Sequence, residues 1–313
     1  MAPLVESGSD SGASNRIPPA RAWLLAIRPK TLTAAAAPVY LGTGLAAHHG
    51  VVDLLPAAAA LLGAFLIQIG TNLANDYYDF LRGGDTEDRV GPLRVTQAGM
   101  ISPGSVRNAA YLVLGLALLV GVYLVMVGGL PIVLVGLASL VCAIAYTGGP
   151  FPLAYHGLGD VFVFVFFGLV AVGGTYWVQA LSLEPGVWLA GAGMGALATA
   201  ILVVNNLRDI HTDARAGKRT LATRIGVGGS KAEFLGLAVV GLLTPVVGVV
   251  VFGWPPITIV AGLLAGLPLI PPLRRVLSFR DGVDPRGLLP ALAGTALAAG
   301  LFGLLVGVAL AVG

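Results

Sequence analysis

Cysteine occurs once in the 313 residues, at Cys142, which excludes an internal disulfide and any metal site built on several thiolates. In its apolar setting Cys142 reads as a small buried residue. Charge is almost as scarce. Asp, Glu, Lys and Arg make up 11% of the chain, against about a quarter in soluble domains. Apolar residues account for 57% and the mean hydropathy is +0.90, so an ordinary water-soluble globule is excluded. The pI near 9.2 does not signal nucleic-acid binding, because no soluble domain is left to carry a basic groove.

A bilayer-crossing helix needs about 20 largely apolar residues. Stretches of roughly that length free of Lys, Arg, Asp and Glu, but for Asp160 at the edge of the fifth, occur at nine places: 31–49, 54–75, 108–128, 130–147, 160–181, 187–206, 234–253, 256–273 and 288–312. Their connections can be checked against the rule that Lys and Arg of short loops stay on the cytoplasmic side. All 18 basic residues fall before the first span or in the connections after the second, sixth and eighth. With nine spans these regions share one face, so the chain is expected to be an all-α polytopic membrane protein with its N terminus cytoplasmic and its C terminus outside. Merging or splitting one span would move basic loops across the membrane. Cleavage after a secretory signal around the first span would also destroy the pattern. Residues 1–20, rich in Ser, Gly and Pro, read as a disordered cytoplasmic tail, and 21–313 as one domain. The 45 glycines speak for close helix packing rather than chemistry.

Acidic side chains are costly near a bilayer, so their positions are informative. Eight of the fifteen lie in two regions. Asp76, Asp79, Asp85, Glu87 and Asp88 follow the second span, and Asp209, Asp213 and Glu233 lie around the connection after the sixth. The opening segments of the two regions read NLANDYYDFLRGGDT from Asn72 and NLRDIHTDARAGKRT from Asn206. Aligned without gaps, Asn72, Leu73, Asn75, Asp79, Gly83 and Thr86 fall opposite Asn206, Leu207, Asp209, Asp213, Gly217 and Thr220 at a constant offset of 134 residues. This reads as a degenerate internal repeat, each half supplying one cluster, although convergence on one chemistry would leave the same trace. Residues three and four apart share a helix face, so Asn72, Asn75, Asp76 and Asp79 form one polar stripe, and Asn205, Asp209 and Asp213 another. Both stripes end at helix C termini, which favour cations. A hard ion such as Mg²⁺ takes one or two carboxylates and completes its shell with water and phosphate oxygens. The same loops carry Arg82, Arg89, Arg94, Arg208, Lys218 and Arg219, which can neutralise phosphate. Glu87, Asp88, Arg107, Arg215, Arg224 and Lys231 read as solvated loop charges. His48 and His49 point apart and do not suggest a metal site, and His211 reads as a loop histidine.

At these residues the sequence resembles the UbiA superfamily of intramembrane aromatic prenyltransferases, and within it the 1,4-dihydroxy-2-naphthoate polyprenyltransferase branch. The matching features are RPKTL at 28–32, QIGTNLANDYYDFLRGGDT at 68–86, RVGPLRVTQAG at 89–99, YTGGPFPLAYHGLGD at 146–160 and NNLRDIHTDARAGKRTLATRIG at 205–226. The resemblance implies a nine-helix fold in the cell membrane with a cytoplasmic active site. It implies transfer of a polyprenyl group from polyprenyl diphosphate to 1,4-dihydroxy-2-naphthoate, with loss of CO₂ and diphosphate, giving demethylmenaquinone. Asp76, Asp79, Asp209 and Asp213 would be catalytic through bound Mg²⁺, with Asn75, Asp85 and Asn205 as further ligands. Arg28, Arg82, Arg89, Arg94, Lys218 and Arg219 would bind diphosphate, although Arg28 could equally hold the acceptor carboxylate or anchor the chain at the interface. Gln68, Asn72, Tyr146 and Tyr155 are expected at the aromatic substrate, and Asp160 could simply cap its helix. The alternatives are another aromatic acceptor, such as 4-hydroxybenzoate or homogentisate, and, in another class, an ion-coupled transporter. Transporter carboxylates usually lie near the bilayer midplane, whereas these lie at helix ends. Prenyl length and oligomeric state leave no readable signal.

Overall fold

A computed structural model of the chain describes residues 17–83, 90, 91 and 93–313. Among the described residues the chain is entirely helical apart from turns and connections. In order the helices are α1 (Pro19–Ile27), α2 (Leu32–His48), α3 (Leu54–Leu81), α4 (Pro103–Gly128), α5 (Leu130–Ala145), α6 (Gly159–Ala180), α7 (Pro185–Arg208), α8 (Ile210–Arg215), α9 (Leu221–Phe252), α10 (Ile257–Ser278) and α11 (Pro285–Val312). Each of the nine apolar stretches read from the sequence coincides with one of these helices. Seven of them, α3, α4, α6, α7, α9, α10 and α11, are long and apolar enough to cross a membrane. The remaining two, α2 and α5, have 17 and 16 residues. The chain is an integral multi-pass membrane protein.

Local signals explain the helix starts. Asp53 caps α3 by accepting from Leu55 N–H at 3.1 Å. Ser102 caps α4 ahead of Pro103, and Thr220 caps α9, each leaving a side-chain oxygen for an otherwise unpaired first-turn amide. Gly129, in the positive-φ region, lets the chain reverse between α4 and α5. Of the tail expected over 1–20, residues 1–16 lie outside the described residues, and α1 begins at Pro19.

The helix α7 is the central element, most of its apolar length buried inside the protein. Met194 and Leu197 pack with Leu41 and Leu45 of α2, Phe302 of α11 and Trp254. Helices in lipid gain little from hydrophobicity and need close backbone approach instead. Gly44 of α2 lies directly on the backbone of Gly307 in α11, leaving no space for a methyl group. The helix α6 contains a π-helical stretch over Phe164–Val170, where Gly168 rests on the backbone of Gly191 and Gly195 in α7.

Three helix boundaries bear on function. At 28 residues, α3 is about 42 Å long at 1.5 Å per residue, more than the ~30 Å hydrocarbon core. It extends six residues beyond the apolar stretch, so Asp76 and Asp79 sit inside its last turns. The second cluster is broken instead: α7 ends at Arg208, Asp209 leaves helical geometry, and Asp213 belongs to the separate six-residue α8. The single helical stripe expected over Asn205, Asp209 and Asp213 is corrected accordingly, although Asp213 N–H still donates to Asp209 O at 2.8 Å across the break. The helix α9 starts at Leu221, well before residue 234, and bends at Gly226, whose φ is 71°.

Candidate functional site

The last turns of α3 present their polar residues to three different partners. Asn72 donates to Ile27 O at 2.9 Å and to Thr31 Oγ1 at 2.8 Å, and Gln68 donates to Asn72 Oδ1 at 3.2 Å. These bonds tie α3 to the turn between α1 and α2, where Arg28 adopts a left-handed backbone conformation. One turn on, Asn75 accepts from Thr147 Oγ1 at 2.8 Å. Asp76 accepts from the amides of Val95 and Thr96, and Asp79 accepts from Arg94 Nη2 at 2.6 Å and from the Tyr155 hydroxyl at 3.1 Å. Asp76, Asp79 and Arg94 are all buried. Beneath them Leu73, Ala74, Val95, Ile101, Val106 and Ala110 form a small apolar core.

On the other side the break after α7 turns the Arg208 guanidinium onto its neighbour. Nε and Nη2 donate to the two oxygens of Asp209, and Nη2 also to Asn205 Oδ1 at 2.8 Å. Arg208 is 3% exposed, and its Nη1 is buried with no hydrogen-bond acceptor among the described residues. Asp213 pairs with Lys218 Nζ at 3.5 Å.

The segment between α5 and α6 joins the two sides, and Tyr155 is its centre. Its hydroxyl bonds Asp79, its carbonyl accepts from Arg219 N–H at 3.1 Å, and Arg82 and Lys218 lie over its ring at 5.5 and 5.8 Å. Arg82 is itself held by Thr147 O at 3.0 Å and by Gly149 O. Burial, and next the adjacent Asp79, push the Tyr155 phenol above its ordinary pKa, so it stays protonated and donates to the carboxylate. Asp213 is also within electrostatic reach of Tyr155.

A cavity of about 620 Å³ runs beside this assembly. It follows α3 from Ala60 to Asn75, with Gln68, Asn72, Asn75 and Tyr146 as polar lining and Leu118, Val122, Gly136, Phe162 and Phe166 among the apolar residues.

Of the residues expected at the site, Asn75, Asp79, Arg82, Arg94, Tyr155, Asp213 and Lys218 are brought into one connected network. Asn205 and Asp209 meet Arg208 next to it. Gln68, Asn72 and Tyr146 line the cavity, with Gln68 and Asn72 also fastening α3 to the preceding turn. Arg219 contributes its backbone amide while its side chain is exposed. Asp85 and Arg89 lie outside the described residues. Thr147 escaped the sequence reading because only the folded turn brings it to Asn75. Arg224, read as a solvated loop charge, is exposed but lies in α9 rather than in a loop, and its Nη2 donates to His156 O at 2.8 Å in the turn that carries Tyr155.

Among the described residues, no three His, Cys, Asp or Glu side chains converge as a ready-made metal cluster. The donor set nonetheless suits magnesium, which takes few protein carboxylates and shares its shell with phosphate oxygens. Asp79, bonded to Tyr155, and Asp213, within electrostatic reach of it, offer hard oxygens, and the buried Arg208 Nη1 is a spare donor suited to an anion.

The sequence profile described as the UbiA prenyltransferase family matches residues 35–289. The 1,4-dihydroxy-2-naphthoate octaprenyltransferase of Mycobacterium tuberculosis is 43% identical over 293 residues, covering 93% of this chain and 97% of that protein. The protein of the same name from Escherichia coli is 44% identical over 212 residues, covering 66% and 69%. Among solved structures, a UbiA homolog from Aeropyrum pernix K1 superposes with a TM-score of 0.67 at 16% identity, over 88% of this chain and 98% of that one. A UbiA homolog from Archaeoglobus fulgidus bound to GPP and Mg²⁺ superposes at 0.62 and 16% identity, over 90% and 99%.

Proposed function

Because this chain belongs to the UbiA prenyltransferase family, we propose that it transfers a polyprenyl group from polyprenyl diphosphate to 1,4-dihydroxy-2-naphthoate, releasing diphosphate and CO₂ and giving demethylmenaquinone. One observation carries the reading. Tyr155 binds Asp79 of the first cluster and stands beside Asp213 and Lys218 of the second, next to an apolar cavity long enough to take a prenyl tail. The acceptor assignment draws on the dihydroxynaphthoate octaprenyltransferases that match most of the chain.

Asp79 and Asp213, with Asn75, Asn205 and Asp209, would hold Mg²⁺, which when bound supplies positive charge to the departing diphosphate. Arg82, Arg94, Lys218 and Arg208 place further positive charge where diphosphate oxygens gather as the allylic C–O bond breaks. The Tyr155 hydroxyl keeps Asp79 oriented. Tyr146, on the cavity wall, offers an aromatic face to the allylic cation, and the low-polarity lining keeps water from it. The electron-rich naphthoate ring attacks the cation to form the new ring–prenyl bond, and the bond from ring to carboxylate breaks with its electron pair staying on the ring as CO₂ leaves.

The charge pattern supports nine spans in the cell membrane, with α2 and α5 completing the seven longer helices. It also supports an N terminus and both acidic clusters on the cytoplasmic side and a C terminus outside.

The test is an acceptor comparison in membranes containing the protein, with polyprenyl diphosphate, Mg²⁺ and one aromatic acid at a time. Dihydroxynaphthoate should be prenylated with release of CO₂. Product from 4-hydroxybenzoate or homogentisate alone would overturn the acceptor assignment, and no prenyl transfer to any acceptor would overturn the reaction class.

A further inference from the structure

Asp76 differs from its neighbours in what it touches. Its Oδ2 accepts from Val95 N–H at 3.2 Å and its Oδ1 from Thr96 N–H at 3.1 Å, and the residue is 1% exposed. Both oxygens are thus engaged by buried main-chain donors of the segment after Arg94. Amides aimed at a carboxylate form charge-assisted bonds that satisfy its negative charge locally, which leaves little for a cation to gain there.

The repeat points the same way. At the offset of 134 residues, Asn75 and Asp79 lie opposite Asp209 and Asp213, whereas Asp76 lies opposite Ile210, a buried apolar residue. The half that carries Ile210 has no ligand at this position. What the first half has instead is the 93–101 segment folded against α3, with Val95 fully buried in the core under the helix and Met100 N–H returning to Val95 O at 2.9 Å.

We propose that Asp76 is a positioning residue rather than a metal ligand: it clips the Val95–Thr96 backbone to α3 so that Arg94 is delivered to Asp79. Asp76 and Asp79 are three apart on one helix face, and Arg94 and Val95 are consecutive. The loop is therefore fastened at two adjacent points on one surface, and freeing the first lets the second swing. This assignment rests on reading the site as a diphosphate site, but its central prediction concerns the loop and can be checked without turnover.

The experiment uses the full chain in detergent micelles or nanodiscs, with geranyl diphosphate and Mg²⁺ as probes. In the wild type, amide hydrogen exchange at Val95 and Thr96 is slow, and equally slow with and without Mg²⁺ and geranyl diphosphate. Exchange that quickens on adding Mg²⁺, because the carboxylate leaves the amides for the ion, overturns the proposal. In Asp76→Asn, which keeps the volume and one acceptor, trypsin cleavage after Arg94 rises about tenfold or more, as expected when a charge-assisted anchor is lost. KM for geranyl diphosphate rises by a similar factor, while the Mg²⁺ concentration for half-maximal rate stays within twofold of wild type. Adding Arg94→Ala to Asp76→Asn costs little beyond either change alone, because both remove one function. A tenfold rise in the Mg²⁺ requirement with unchanged cleavage, or fully additive losses, would show a ligand instead. If the wild type itself transfers no prenyl group, the functional reading fails, while the exchange and cleavage results still decide the role of Asp76 in the loop.

Discussion

The Arg208 guanidinium holds Asp209 through two nitrogens and reaches Asn205 as well, so a single side chain organises the second cluster. Arg208→Ala would leave a buried carboxylate without its cation, a change that costs about 3–5 kcal/mol in comparable buried pairs. The thermal midpoint of the detergent-solubilised variant should fall clearly. Arg208→Lys should restore little, since an ammonium lacks the planar fork that spans both oxygens, and a midpoint equal to wild type would show that the fork is unnecessary. Asp79→Asn and Asp213→Asn act on the reaction more than on the fold. Each should lower the rate of prenyl transfer roughly 10²–10³-fold, the scale seen when one group that stabilises developing charge is removed, with the purified protein still monodisperse. Tyr155→Phe keeps the ring under Arg82 and Lys218 but loses the bond to Asp79. A fall of about three- to tenfold in rate corresponds to one neutral donor on a carboxylate, and an unchanged rate would remove Tyr155 from the reaction.

At the level of helices, the packing of α2 on α11 depends on glycine in both. Gly44→Val would force the helices apart where the Gly307 backbone now touches. Overpacking of this kind costs about 1–3 kcal/mol or more, to be read as a lowered unfolding midpoint, with the smaller Gly44→Ala intermediate. The sequence revealed where the long apolar helices lie because twenty residues without charge have few other uses. It singled out Asp79 and Asp213 because carboxylates in so apolar a chain are conspicuous. It could not reveal where α3 ends, since the polar residues that close the apolar run are good helix formers and the helix continues through Asp76 and Asp79. Nor could it reveal the grip of Arg208 on Asp209: adjacent residues diverge on a regular helix, and only the break at Asp209 turns them together. The Arg94–Asp79 pair spans a loop, and a loop has no periodicity from which to read a contact.

Across the whole molecule, the orientation proposed from the charge pattern predicts a side for every loop. Replacing the lone cysteine by Cys142→Ser and introducing Ala98→Cys or Ser182→Cys, both at exposed positions, tests this directly. A membrane-impermeant thiol reagent should label Ser182→Cys in intact cells and Ala98→Cys only in inverted vesicles, and the opposite result would reverse the orientation. The two halves of the chain meet through Tyr155, which touches Asp79 with its hydroxyl and Arg219 with its carbonyl. That bridge makes the site conditional on synthesis of the second half, since Asp213 and Lys218 emerge from the ribosome long after Asp79. A partly inserted chain would carry only one side of the proposed diphosphate grip and could not complete the charge needed to ionise an allylic substrate. The hazardous intermediate of this chemistry, a free carbocation within a lipid membrane, would therefore arise only after the protein able to contain it has finished folding.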